Sequence, residues 1–252
     1  MFRVNRVAVA PVLAEFVGTG MLVMIALILG QTTAVSYFIA TSLAVAAAAV
    51  FMLFSNISGA HTNPGITFGM WTARRIGTLR GISYVAAQLL GGVASWQLFQ
   101  YLTNHTLTAR SAAFSTPVWL AEVVGTAVLG MAFAAALSRR YESLYSGIMI
   151  GAAYFVGIVI AATASSGFIN PAIALGSRAW SAAYVLGPLV GGLIGVNLYT
   201  YLMGTADVTA QRGRAVAARS VAAEESAPAA SSSRGVTVKR TTVRRRKATT
   251  RR

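Results

Sequence analysis

The chain has 252 residues, 56% of them hydrophobic and only 11% charged, whereas a soluble domain carries roughly 25% charge. It has no cysteine and two histidines, which excludes a disulfide framework, a metal-ligand cluster and a thiol nucleophile. With no Ser-His-acid set or cofactor motif either, neither enzyme chemistry nor a cofactor is expected. Net charge is +15, and the apolar residues come in blocks long enough for a polytopic membrane protein.

In chain order, Arg3 and Arg6 precede the first apolar block as they would in a signal peptide. That block is as long as a full span, so it is read as an uncleaved first helix. Spans are expected over about Pro11–Gly30, Tyr37–Phe54, Ile82–Leu102, Val118–Leu137, Ser146–Ala164 and Ala182–Met203, each near the ~17–25 residues a bilayer requires. Two broken segments interrupt this series: "SGAHTNPGITFG" from Ser58 follows the second span, and "SSGFINPAIALGSR" from Ser165 follows the fifth. In each, Asn-Pro reads as a helix start, with Asn63 or Asn170 as N-cap and Pro64 or Pro171 at the first helical position. Too few residues follow to cross a bilayer, so two half-helices are expected.

The chain also repeats itself. "LAEFVGTGMLVM" from Leu13 matches "LAEVVGTAVLGM" from Leu120, and 107 residues separate both Glu15 from Glu122 and Asn63 from Asn170. Each unit holds three spans, an odd number, so the second unit enters the membrane inverted and the broken segments meet near the midplane. Arg3, Arg6, Arg74, Arg75, Arg80, Arg139 and Arg140 fall on one side of this plan with the C-terminus, and only Arg110 sits in an opposite-side connecting loop. Both termini are therefore expected in the cytoplasm. The expected organisation is a domain over 1–204 (repeats at about 10–103 and 117–203) and a tail over 205–252. The tail carries twelve of the 21 basic residues and no aromatic one, so it is read as disordered. Anionic lipid is a possible tail partner. Nucleic acid fits poorly without interleaved aromatics for base stacking.

Irregular chain at membrane depth must be buried or line water, because an unpaired backbone group in hydrocarbon costs several kcal/mol. Two half-helix N-termini meeting at mid-membrane, each worth roughly half a positive charge, would repel cations there. The Asn63 and Asn170 amides would donate to a passing oxygen, which suits water and small polyols. Glu15 and Glu122 lie inside spans, as permeation groups or as acceptors for the re-entrant amides. His61 is open to the same two readings. Glycines at 147/151, 187/191 and 191/195 allow close helix approach.

These motifs resemble the aquaporin and aquaglyceroporin (major intrinsic protein) family over about residues 10–203. The resemblance implies an all-α membrane protein of six transmembrane helices plus two re-entrant half-helices. It further implies a homotetramer with one pore per protomer, conducting water and small neutral solutes such as glycerol. Asn63 and Asn170 match the family's pore asparagines, within Asn-Pro-Gly (Gly65) and Asn-Pro-Ala (Ala172). Arg178 matches an arginine of the glycerol-conducting branch, read either as pore lining or as pairing with loop carbonyls. Two departures stand out. Gly65 replaces alanine, which is expected to loosen packing slightly and weaken helix propensity by about 1 kcal/mol. Ile173 stands where the family places the arginine of its constriction, and with Leu43, Ile158 and Gly167 it makes an apolar, wide quartet. The alternative reading is a non-conducting membrane scaffold whose basic tail binds lipid or partners.

Overall fold

The computed structural model describes residues 6–32, 36–110, 113–139 and 141–203. The helices there are α1 (Arg6–Thr32), α2 (Ser36–Ser58), α3 (Pro64–Thr72), α4 (Thr78–Thr103), α5 (Thr116–Arg139), α6 (Ser143–Ala161), α7 (Pro171–Gly176) and α8 (Ala182–Leu198), the last running into a π-helical turn, Tyr199–Met203. The basic tail lies outside the described residues, as do Arg3 and Arg140.

Six helices are long enough to span. Five of them are also uniformly apolar. The sixth, α4, has 26 residues, about 39 Å at 1.5 Å per residue, but it carries Ser83, Gln88, Ser95, Gln97 and Gln100. The fold is inside-out relative to a soluble protein. Leu13, Val45, Leu79, Ile82 and Leu90 are exposed, while Glu15, Glu122, Gln88, Asn63 and Asn170 are fully buried. Apolar side chains facing outward need hydrocarbon around them, and buried polar ones need partners within.

Packing follows the repeat. The first and third long helices of each unit pair as α1·α4 and α5·α8, and α2 lies on α6 across the unit boundary. Each half-helix docks on the third helix of the other unit, α3 on α8 and α7 on α4. Small residues permit these approaches. A Cβ at Gly191 or Gly195 would collide with the α5 carbonyls of Val123 or Ala127, and one at Gly151 would sit 2.7 Å from the Ala44 carbonyl on α2.

Gly65 departs from its expected role. A Cβ there would lie 2.5 Å from the Pro188 carbonyl of α8. The missing methyl therefore does not loosen the packing; the backbone of α8 has moved into its place. The helix α6 also stops at Ala161, three residues earlier than expected, where the chain turns toward the second half-helix. The last residues of α3 and α5 share one end of the bundle, since the Tyr201 hydroxyl donates to the Ala73 carbonyl and Arg139 Nε donates to the Tyr199 hydroxyl.

Candidate functional site

The two broken segments are built alike. Asn63 and Asn170 are extended (φ −155° in both), and each side-chain oxygen caps its own half-helix, accepting from Gly65 N at 2.8 Å and from Ala172 N at 2.9 Å. Each amide nitrogen then reaches into the other loop: Asn63 Nδ2 donates to the Ile169 carbonyl at 2.8 Å, and Asn170 Nδ2 donates to the Thr62 carbonyl at 2.9 Å. The two asparagines are thus neighbours, clasped reciprocally.

The carbonyls they use belong to strained residues. Thr62 and Ile169 hold φ of 46° and 44°, and Ala60 and Gly167 hold 47° and 65°. A β-branched residue in the left-handed region costs roughly 1–3 kcal/mol, so something must hold it. Two carboxylates do. Glu15 on α1 accepts from His61 N (2.9 Å) and Thr62 N (2.6 Å); Glu122 on α5 accepts from Phe168 N (3.0 Å) and Ile169 N (2.6 Å). Ser58 and Ser165 complete both loops, their hydroxyls accepting from Ala60 N and Gly167 N, each at 2.9 Å.

The units diverge around this frame. Gln88 of α4 donates to Glu15 at 2.7 Å and to Thr67 at 2.8 Å, whereas Ser165 donates to Glu122 at 2.7 Å. The His61 imidazole meets the Thr67 hydroxyl at 3.3 Å and stands edge-on to Tyr84 and Phe133. Its counterpart, Phe168, stands edge-on to Tyr184.

Two cavities open at opposite ends of α2. The one near its C-terminus, about 230 Å³, is lined by Phe51, Ser55, His61, Phe133 and Tyr141 among others. The one near its N-terminus, about 250 Å³, is lined by Leu43, Arg110, Gly167, Phe168, Ile173 and Ser177 among others. Three members of the apolar quartet therefore share one vestibule, with Ile173 only 1% exposed on its wall. Ile158 is buried behind Gly167, its carbonyl and Cγ2 3.1 and 3.2 Å from where a Cβ on that glycine would sit. Arg178 is elsewhere: its guanidinium lies over the Trp96 ring at 4.1 Å, and its carbonyl accepts from Arg110 N at 2.7 Å. Neither its side chain nor that of Ile158 lines the vestibule.

Sequence reasoning missed Gln88, Tyr154, Phe168 and the vestibule position of Arg110. Gln88 had a usable signal, an amide within an apolar helix. Phe168 had another, since it stands 107 residues after His61. Tyr154 gave none, because a tyrosine in an apolar helix is ordinary. Its hydroxyl lies 3.5 Å from Asn170 Nδ2, which donates to it.

This arrangement has relatives. Residues 4–199 match the model of the major intrinsic protein family. A probable aquaporin TIP1-1 of Oryza sativa is 30% identical over 222 residues, covering 77% of this chain and 87% of the relative. Aquaporin AqpM of Methanothermobacter marburgensis is 31% identical over 178 residues, 62% of this chain and 72% of the relative. In fold, the aquaglyceroporin of Plasmodium falciparum superposes with a TM-score of 0.65 at 19% identity, over 77% of this chain and 96% of that one. Matched along most of its length by the family model and by aquaporins of similar size, and folded with apolar faces outward, the chain is an integral, multi-pass membrane protein belonging to the major intrinsic protein family.

Proposed function

We propose that the chain is a passive channel for water and small neutral solutes, with Asn63 and Asn170 as its pore asparagines. The observation that carries this reading is their reciprocal clasp. A primary amide has two N–H donors, and each asparagine spends one on the opposite loop; the second of Asn63 is left to face a permeant oxygen, and that of Asn170, which meets the Tyr154 hydroxyl, is shared with it. The path runs from the His61 vestibule, between the asparagines, to the Arg110 vestibule. Leu43, Gly167 and Ile173 offer no side-chain hydrogen bond there, which favours a CH-bearing solute such as glycerol over a wall with a fixed donor fork. Cation exclusion falls to the half-helix N-termini and to Arg110, a guanidinium carried to that vestibule by the α4–α5 connection.

Glu15, Glu122 and His61 are assigned to loop support, and Arg178 to anchoring the Arg110 segment. The copies are proposed to form a homotetramer in lipid, each with its own pore and with the Arg139 end cytoplasmic. Stopped-flow light scattering on proteoliposomes, comparing water with glycerol, tests the function: both should pass above the rate of empty vesicles. The scaffold reading draws on one observation, that the two vestibules share no lining residue. A chain that passes neither solute in any form would favour it.

A further inference from the structure

Tyr154 is on α6, four residues before Ile158, which puts it on the same helix face and one turn deeper, about 6 Å along the axis. It is 1% exposed and lines neither vestibule. Its hydroxyl meets Asn170 Nδ2 at 3.5 Å, and the second N–H of that amide has no partner in the loops. The repeat shows this is no requirement of the frame. The residue 107 positions earlier is Ala47, also buried. One unit presents a methyl where the other presents a phenol.

We propose that Tyr154 is the specificity-determining residue at the asparagine pair: its hydroxyl occupies the place of a permeating oxygen, and its ring sets the size limit for transit. The idea rests on the channel reading. It relocates the narrowest point from the apolar quartet to mid-membrane. Water, which donates and accepts in a small volume, exchanges with the hydroxyl; a solute of glycerol's width must displace the whole ring. A ring that merely filled core space would be served as well by phenylalanine, which brings no buried hydroxyl to satisfy.

The full-length chain in proteoliposomes tests this, using Tyr154→Ala, Tyr154→Phe and Tyr154→Cys. In Y154A the glycerol-to-water permeability ratio should rise about tenfold, equivalent to ~1.4 kcal/mol removed from the glycerol barrier. Y154F keeps the ring and frees the Asn170 amide, so water flux should rise while glycerol stays slow. The chain has no cysteine, so Y154C adds its sole thiol. A small methanethiosulfonate reagent should block water flux in Y154C and leave the wild type untouched. A conducting wild type with an unaltered ratio in Y154A, or a Y154C channel that the reagent does not block, overturns the Tyr154 assignment alone. If Y154A fails to fold, Y154F and Y154C decide. Wild type and all three variants impermeable to water would defeat the channel reading itself, whereas a closed wild type opened by Y154A supports the assignment in its strongest form.

Discussion

The two repeats differ less in how they hold their loops than in what they present to the space between them. Glutamate to a pair of loop amides, serine to the left-handed residue, asparagine oxygen to its own half-helix and asparagine amide to the other loop all recur 107 residues apart. Away from those contacts the symmetry lapses. Ala47 faces the role of Tyr154, His61 that of Phe168, Gly65 that of Ala172, and α3 has nine residues against six in α7. The lesson is a division of labour. Backbone groups buried in a membrane have few ways to be satisfied, so the frame is repeated, whereas the side chains around it are free to differ, as Tyr154 and Ala47 do.

The largest test of the comparison uses the equivalent residues Ile66 and Ile173. Both are buried, but only Ile173 borders a vestibule. Replacing Ile66 with Arg puts an unpaired charge in the core and should abolish folded protein, because such a charge costs several kcal/mol. Replacing Ile173 with Arg should fold. Its guanidinium would line the vestibule, lower glycerol flux more than water flux and reduce proton leak. An I173R protein that folds with unchanged permeability would remove Ile173 from the pore wall.

Next come the carboxylates. Glu122→Ala leaves Phe168 N and Ile169 N without their acceptor, at ~1–3 kcal/mol for each buried donor, while Ser165 keeps the Ala161 carbonyl, so it should lower detergent melting temperature and monodisperse yield sharply. Glu15→Ala should be milder, because Gln88 Oε1 is buried without a partner nearby and offers a substitute acceptor. Equal losses would show that Gln88 does not step in.

A smaller effect separates the third residues of the two Asn-Pro motifs. Gly65→Ala drives a methyl against the Pro188 carbonyl and should cost about 1–3 kcal/mol by overpacking. The reciprocal Ala172→Gly should cost about 1 kcal/mol through helix propensity. Thermal unfolding in detergent ranks them, and the reverse order would mean that α8 yields easily at Gly65. Smallest of all, deleting residues 205–252 should leave water flux per protein unchanged, since nothing in that stretch repeats or has the apolar periodicity to pack. Loss of binding to anionic vesicles in the same truncation would assign the tail to lipid headgroups.

Much of the fold was legible in the residues. Long apolar blocks specify spanning helices, Asn-Pro specifies capped starts, and a common 107-residue offset between glutamates and between asparagines specifies an inverted pair of units. These features read well because each rests on local chemistry or on register, and both survive without knowledge of neighbours. Glu15 and Glu122 were legible as acceptors for the same reason: a carboxylate inside a span must find donors, and the re-entrant loops hold the amides. What only the tertiary structure decided depends on distance across the bundle. Gly65 looks permissive in the sequence, yet the α8 backbone fills its space. Arg178 looks like a pore or loop residue, yet its guanidinium settles on Trp96. Tyr154 looks like one more aromatic in an apolar helix, yet its hydroxyl meets the Asn170 amide. Periodicity tells which face of a helix is inward. It does not tell which inward residue reaches the axis, because that is set by how closely the helices on the far side approach.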